Sequence, residues 1–356
     1  MIIITRRDDH KIILYETENV NLNNLNFSNM NFEGGLFTYQ SARKCDFTNA
    51  NLRWTHWRNA DLSYSILDKA DVTDSNFLWA KLTNIHGYQS IMREIFAVAA
   101  DFTNSILINS YFNNSDMRSA KFIGCDLTES ILTNSNLTSY FTNSCLYNVN
   151  LSHSWFYDYE YRKEKKASMK FSNITNVNFF KSDLRGLDLT STISDNINVE
   201  NAFYDINTKW PESFNPKKLG AILLSAGTNI SNKDLKDAHL VYLKLNNVKA
   251  IKTNFNKSYL KYSEFSNSDF EGANLDYCNL SDTTFENTNL INTSLFNAKI
   301  ARCNFINADL RGADMRFDIK HFHSCTDEKR EFTLKNAKYD KTTIWPDEFD
   351  PREWDR

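Results

Sequence analysis

The sequence predicts an all-β solenoid, in which one short unit recurs many times and stacks on itself. Two observations support this prediction. A large apolar residue recurs at every fifth position through most of the 356 residues, and one Trp-Pro segment occurs twice, near residues 210 and 345. A period of five matches neither a helix nor a flat strand, so the backbone must turn at each unit. One unit cannot bury its own large residue, whereas stacked units can.

The first twenty residues predict a hairpin. Residues 2–4 and 12–14 are short apolar runs, and the polar segment 6–10 lies between them. Two such runs around a polar turn are typical of a β-hairpin. We therefore assign 1–20 to an N-terminal cap that covers the first coil.

The first repeat array is assigned to 21–204. Each unit reads as a small residue, then Asn or Asp, then Leu or Phe, then two polar residues. The large residues would share one interior, and the small residues would fit beside them. The chain also has 45 Asn residues against 9 Gly. Asn tolerates left-handed turns and can form hydrogen-bonded ladders between coils, so a structural role explains its abundance.

Two segments interrupt this array. Residues 87–97 lack the pattern but keep the frame, because Leu82 and Phe102 are 20 residues apart. We expect a helical turn or a bulge there, tolerated as a kink. Residues 157–166 break the frame, since 13 residues separate Phe156 from Met169, and this predicts an extruded loop.

The loop at 157–166 is the candidate protein-contact site. Exposed Tyr and Arg are favoured at interfaces, and loops on rigid scaffolds often carry function. The alternative is a solvated insertion without function. The candidate contact residues are Tyr157, Tyr159, Tyr161, Arg162, Lys163, Lys165 and Lys166.

Each array is predicted to end in a Trp-Pro cap, at 205–219 and at 341–356. All four prolines lie in these two segments. Proline cannot donate to a β-ladder, so it is allowed where the ladder stops. We expect the aromatic residues to cover the last coil. The cap residues are Trp210, Pro211, Phe214, Trp345, Pro346 and Phe349.

The second array is assigned to 220–340, with 18 uninterrupted units from Ile230 to Met315. It is followed by a third interruption at 316–331, which contains two His, one Cys and one Asp. These residue types can ligate zinc, but their spacing matches no known zinc module, and we predict no metal site. The residues are His321, His323, Cys325 and Asp327.

The repeat resembles that of the pentapeptide-repeat family, as in Ala308-Asp309-Leu310 and Ala273-Asn274-Leu275. The resemblance implies a right-handed, four-sided parallel β-helix with four repeats per coil, in two tandem modules. Large residues 20 apart would then stack as interior columns. The proposed columns are Phe37, Trp57 and Phe77 in the first array, and Phe265, Phe285 and Phe305 in the second.

Composition argues against several classes of function. Lys and Arg number 41 against 44 Asp and Glu, a net charge of −3, so direct nucleic-acid binding is not expected. No apolar run spans a bilayer, and no signal peptide is evident, so we expect a cytoplasmic protein without a membrane partner. The sequence has no P-loop, GxGxxG, GxSxG or HExxH motif. We predict no catalysis, cofactor or small-molecule substrate.

The predicted function is a rigid, non-catalytic scaffold that binds a protein partner of unknown identity. An alternative follows from the resemblance, because some family members mimic DNA and protect gyrase, a type II topoisomerase, from inhibitors such as quinolones. That mechanism requires an acidic face, whereas both halves of this chain are nearly neutral. The loop at 157–166 favours the alternative, since protective members carry such loops.

Overall fold

The protein is described by a computed structural model over residues 2–157, 167–212, 214–317, 332–347 and 349–354. Its contacts divide the chain into two compact units. Unit 1 comprises Met1–Ala202 with Asn207–Gly220, and unit 2 comprises Phe203–Ile206 with Ala221–Arg356. The finer division into caps and arrays stays a prediction.

Regular elements are few and short. Strands β1 (Ile2–Thr5) and β2 (Ile13–Thr17) form an antiparallel hairpin in unit 1. In unit 2, β3 (Phe203–Tyr204) pairs in parallel with β4 (Ile222–Leu223). A 3₁₀ helix covers Pro351–Trp354. Within the described ranges, no helix is long and apolar enough to cross a membrane.

Both units are otherwise held by parallel ladders, most of which pair residues 20 apart. Four successive ladders in the first coils begin with the pairs Asn26–Asp46, Asn31–Asn51, Leu36–His56 and Ser41–Asp61. Four ladders with a step of 20 place four five-residue repeats in each coil. The prediction of an all-β parallel β-helix is thus confirmed, while its four-sided outline stays a prediction.

Each repeat turns at the two residues that follow the large interior residue. At Phe47, the carbonyl accepts a hydrogen bond from the N–H of Ala50 at 2.9 Å, and Asn49 between them has φ of 57°. A positive φ at the third turn residue is the type II pattern, which favours Gly and Asn. Asp46, before Phe47, accepts the N–H of Thr48 at 2.9 Å. These two roles explain much of the Asn and Asp content.

The interior contains stacked rings. Phe37 lies 3.9 Å from Trp57 between ring centroids, and Trp57 lies 6.3 Å from Phe77. In unit 2, Phe285 is 5.4 Å from Phe265 and 5.5 Å from Phe305. All six rings are buried.

The small interior position also provides hydrogen bonds between coils. The hydroxyl of Ser105 donates to the carbonyl of Leu82 at 2.8 Å and accepts the N–H of Ile85 at 3.1 Å. Many buried serines repeat this arrangement, so they join successive coils through hydrogen bonds. Sequence reasoning identified the position by size alone and missed this role.

The expectation for residues 87–97 was wrong. The coil continues there without a helical turn or a bulge, and ladder pairs such as Ile91–Tyr111 and Phe96–Asp116 keep the step of 20. Gly87 and Ala97 simply take the place of the large residue. Neighbouring side chains fill the space, since a Cβ on Gly87 would lie 3.0 Å from Leu107 Cδ2.

The ladders also record where the chain gains residues. The step rises to 28 at Tyr140–Ser168, across the predicted loop, and to 29 at Asn304–Thr333, across the third interruption. Each extra stretch leaves the coils on both sides in register.

Candidate protein-contact surface

The predicted contact loop is described only at its first residue. The other six candidates, Tyr159, Tyr161, Arg162, Lys163, Lys165 and Lys166, lie outside the described residues. The ring of Tyr157 lies 4.5 Å from the guanidinium carbon of Arg185. Arg185 in turn forms a bidentate pair with Asp183, at 2.9 Å from Nε and 2.7 Å from Nη2. This pair is buried, with side chains 5% and 3% exposed, and it supports the start of the loop.

The candidate zinc ligands His321, His323, Cys325 and Asp327 also lie outside the described residues. In the part of the chain that the structure describes, no three His, Cys, Asp or Glu side chains are grouped to hold a metal ion.

Four cysteines occupy the small interior position as free thiols, namely Cys45, Cys125, Cys278 and Cys303. Each Sγ donates to a carbonyl 23 residues earlier, as Cys125 does to Phe102 at 2.9 Å. Burial raises the pKa of Cys45 to about 11 and the pKa of Cys125 and Cys278 to about 12. A thiol that stays protonated is a poor nucleophile, so these groups have no reactive role.

The two predicted cap segments have matching ring and hydrogen-bond geometry. Trp210 stacks on Phe214 at 5.0 Å, and Trp345 stacks on Phe349 at 5.3 Å. Thr208 and Thr343 each donate to the carbonyl of a buried leucine, at 3.0 and 2.9 Å. In unit 2, Trp345 and Phe349 pack against the core, which is a structural role.

Sequence reasoning missed a set of aromatic residues at the positive-φ turn position. Trp54 and Trp79 have φ of 59° and 58°, and 47% and 50% of their surface is exposed. A bulky residue there costs about 1–2 kcal/mol of backbone strain, and exposed rings recover little of it by burial. Tyr39 and Tyr64 occupy the same position in neighbouring repeats. Their position in the five-residue repeat is the sequence signal that could have identified them as turn residues.

Arginines accompany these rings. The guanidinium carbon of Arg53 lies 5.3 Å from the ring of Trp54, and that of Arg58 lies 5.2 Å from Trp79. Between them in the chain is His56, which is half-buried. Burial, and then the charge of Arg7, lower the pKa of His56. The structure therefore places Arg7 of the hairpin region near the same part of unit 1.

Both units contain repeats that match known families. The family described as "Pentapeptide repeat region" matches 238–315, and "Pentapeptide repeats (8 copies)" matches 45–84 and 98–134. Comparison with curated protein sequences finds no match.

Solved structures of pentapeptide-repeat proteins are similar at low identity. HetL from the cyanobacterium Nostoc sp. strain PCC 7120, which is involved in heterocyst differentiation regulation, is 18% identical, with 79% of this chain and 91% of HetL covered and a TM-score of 0.16. Rfr23 from the cyanobacterium Cyanothece 51142 is 17% identical, with 60% and 90% covered and a TM-score of 0.19. QnrB1, a plasmid-mediated fluoroquinolone resistance protein, is 16% identical, with 56% and 91% covered and a TM-score of 0.25.

The matched repeats lie where the structure has its 20-residue coils, and members of this family are generally non-catalytic repeat proteins. Both units of the chain therefore contain repeats of the pentapeptide-repeat family.

Proposed function

We propose that this protein is a rigid, non-catalytic scaffold that binds another protein. The observation that carries the proposal is the exposed Trp, Tyr and Arg side chains at turns where the coil itself favours Asn or Gly. Trp, Tyr and Arg are the residues most enriched in the energetic centres of protein interfaces. The ladders supply the stiffness, because each coil is hydrogen-bonded to the next.

We retain the loop at 157–166 as one proposed contact, on the grounds of its composition. Tyrosines bring a large contact area at low entropy cost, and a basic cluster attracts an acidic partner. We also propose a cytoplasmic location, which the buried free thiols support because a reducing compartment preserves them.

Affinity capture from the native cell tests this function. The full chain is immobilised, bound proteins are cross-linked, and the partner recovered is compared with that from a variant lacking 157–166. We expect one partner to be enriched by the full chain and lost with the deletion, while the melting temperature stays nearly unchanged. Equal recovery by both forms would remove the loop from the proposal, and no enriched protein at all would overturn the scaffold function.

DNA mimicry receives less support. It requires a strongly acidic surface, whereas the chain carries 41 basic and 44 acidic residues, and exposed turns of unit 1 include arginines such as Arg58. We expect no protection of gyrase supercoiling from a quinolone in a purified assay.

A further inference from the structure

Two arginines of unit 1, Arg53 and Arg58, lack the carboxylate partner that several other turn arginines have. Where Asp stands two residues before the arginine, the two side chains form a bidentate pair, as in Asp309–Arg311 and Asp314–Arg316. Arg53 and Arg58 are preceded at that position by Asn51 and His56. Within the described ranges, neither arginine forms an ion pair, and the buried Nε of Arg53 has no hydrogen-bond partner.

Tryptophan rings hold these two guanidinium groups in place of a carboxylate. Stacking on a ring restricts an arginine and occupies the guanidinium face rather than its N–H groups, so those N–H groups that are not buried can donate to an acceptor. Trp54 is itself fixed, because its indole N–H donates to Asp74 at 3.0 Å. The two arginines are thus restrained before any ligand arrives, which lowers the entropy cost of binding.

One face of the solenoid is bordered by Arg53, Trp54, Arg58 and Trp79. The ladder through Leu36, His56, Asn76 and Phe96 runs along this face. Along the chain, the turn with Arg53 and Trp54 precedes the ladder residue His56, and the turn with Arg58 follows it. In the next coil, the turn with Trp79 follows the ladder residue Asn76. Phe96 on the ladder is itself partly exposed. We call Arg53, Trp54, His56, Arg58 and Trp79 the Arg-Trp surface.

We propose that the Arg-Trp surface binds an acidic segment of a partner protein, whose carboxylates pair with the guanidinium groups of Arg53 and Arg58 as Asp pairs with arginine elsewhere in this chain. The pair Asp309–Arg311 shows the geometry to be reproduced, with Nη2 to Oδ2 at 2.7 Å. The tryptophan rings would receive the apolar side chains beside those carboxylates. This inference rests on the proposed function and names its partner chemistry. A protein is favoured over nucleic acid because the acceptor that turn arginines meet elsewhere in this chain is a carboxylate.

Fluorescence anisotropy with defined probes tests the proposal. The probe is a short fluorescein-labelled peptide rich in Glu with two Leu residues, and its control has Gln in place of Glu. The full chain should bind the Glu peptide at least about 10-fold more tightly than the Gln peptide, and salt should weaken the binding. The double variant Arg53→Ala/Arg58→Ala should lose about 10-fold in affinity. The variant Trp54→Ala/Trp79→Ala should also bind more weakly.

The matched control is Arg311→Ala/Arg316→Ala, which removes the same charge from paired arginines. It should bind the Glu peptide within about 2-fold of the unaltered chain, because its guanidinium groups are already occupied. Equal losses in both double variants, no preference for Glu, or no binding at all would each overturn the proposal. Tighter binding of a duplex DNA of equal charge would instead indicate a general polyanion site and also overturn it.

Affinity capture separates this inference from the proposed function. If Arg53→Ala/Arg58→Ala still captures the native partner at full yield, the Arg-Trp surface is not the contact and the scaffold function stands. If the unaltered chain captures nothing, the scaffold function fails independently of this surface.

Discussion

Two turns, one in each unit, use an arginine at the same position of the repeat in opposite ways. In unit 2, Arg311 forms a bidentate pair with Asp309 of its own repeat. In unit 1, Arg58 has His56 at the equivalent place and lies over the ring of Trp79 instead. In these two turns, the residue two positions earlier decides whether the arginine pairs with a carboxylate of its own turn.

The largest expected effect is the loss of stability from a substitution in the core of unit 2. Phe285→Asp places an unpaired charge between the rings of Phe265 and Phe305, and we expect a loss of about 4 kcal/mol or more. Hydrogen exchange with mass spectrometry should show opening of unit 2 coils. The control Tyr277→Asp changes an exposed side chain and should leave exchange unaltered. Wild-type protection in the Phe285 variant would mean that this side chain does not face a dry interior.

The next effect compares a buried ion pair with an exposed one. Asp183→Asn removes the charge of the carboxylate that forms a bidentate pair with buried Arg185, and should cost about 3 kcal/mol. Asp282→Asn breaks the pair with Arg302, whose side chain is 40% exposed, and should cost about 1 kcal/mol or less. Urea unfolding of both variants measures the difference. Equal costs would contradict the idea that burial sets the value of these pairs.

A smaller effect tests the serine hydrogen bonds between coils. Ser105→Ala removes a donor to Leu82 and an acceptor for Ile85, and should cost about 1–2 kcal/mol. Ser105→Cys keeps a donor at the position that Cys125 occupies one coil later, and should cost less. If both variants melt alike, the hydroxyl contributes only its size.

The smallest effect concerns acid sensitivity. Hydrogen bonding from Arg311 and Arg316 lowers the pKa of Asp309 and Asp314, respectively. Their contribution to stability is present above about pH 4, the unfolded value, and is lost as the pH falls through the lower folded values. Arg311→Ala/Arg316→Ala should therefore flatten the fall in melting temperature below pH 4.

The paired experiment in unit 1 provides the contrast. Arg53→Ala/Arg58→Ala should leave the acid slope unchanged, because these arginines stabilise no carboxylate among the described residues. A flattened slope in the Arg53→Ala/Arg58→Ala variant as well would show that these arginines do contact acids and would remove the difference between the two pairs of arginines.

Much of the fold followed from the five-residue frame. The stacking of Phe265, Phe285 and Phe305 is a direct consequence of a period of five with four repeats per coil. The expectation was wrong at 87–97, where Gly87 and Ala97 looked like interruptions of the pattern. The coil continues there because neighbouring side chains fill the space of a large residue. The exposed turn residues were also overlooked, since a hydrophobic pattern draws attention to the interior.

The sequence by itself determined the repeat, the coil and the local pairs. An Asp two residues before an Arg forms a bidentate pair within one turn, and this is visible in the order of residues. Only the tertiary structure decided how much that pair contributes to stability, and which contact the arginine makes where the Asp is missing. Asp183–Arg185 is buried, whereas Asp309–Arg311 lies at the surface. Arg58 meets Trp79 because stacking brings the next coil alongside, a contact that exists only once the register between coils is set.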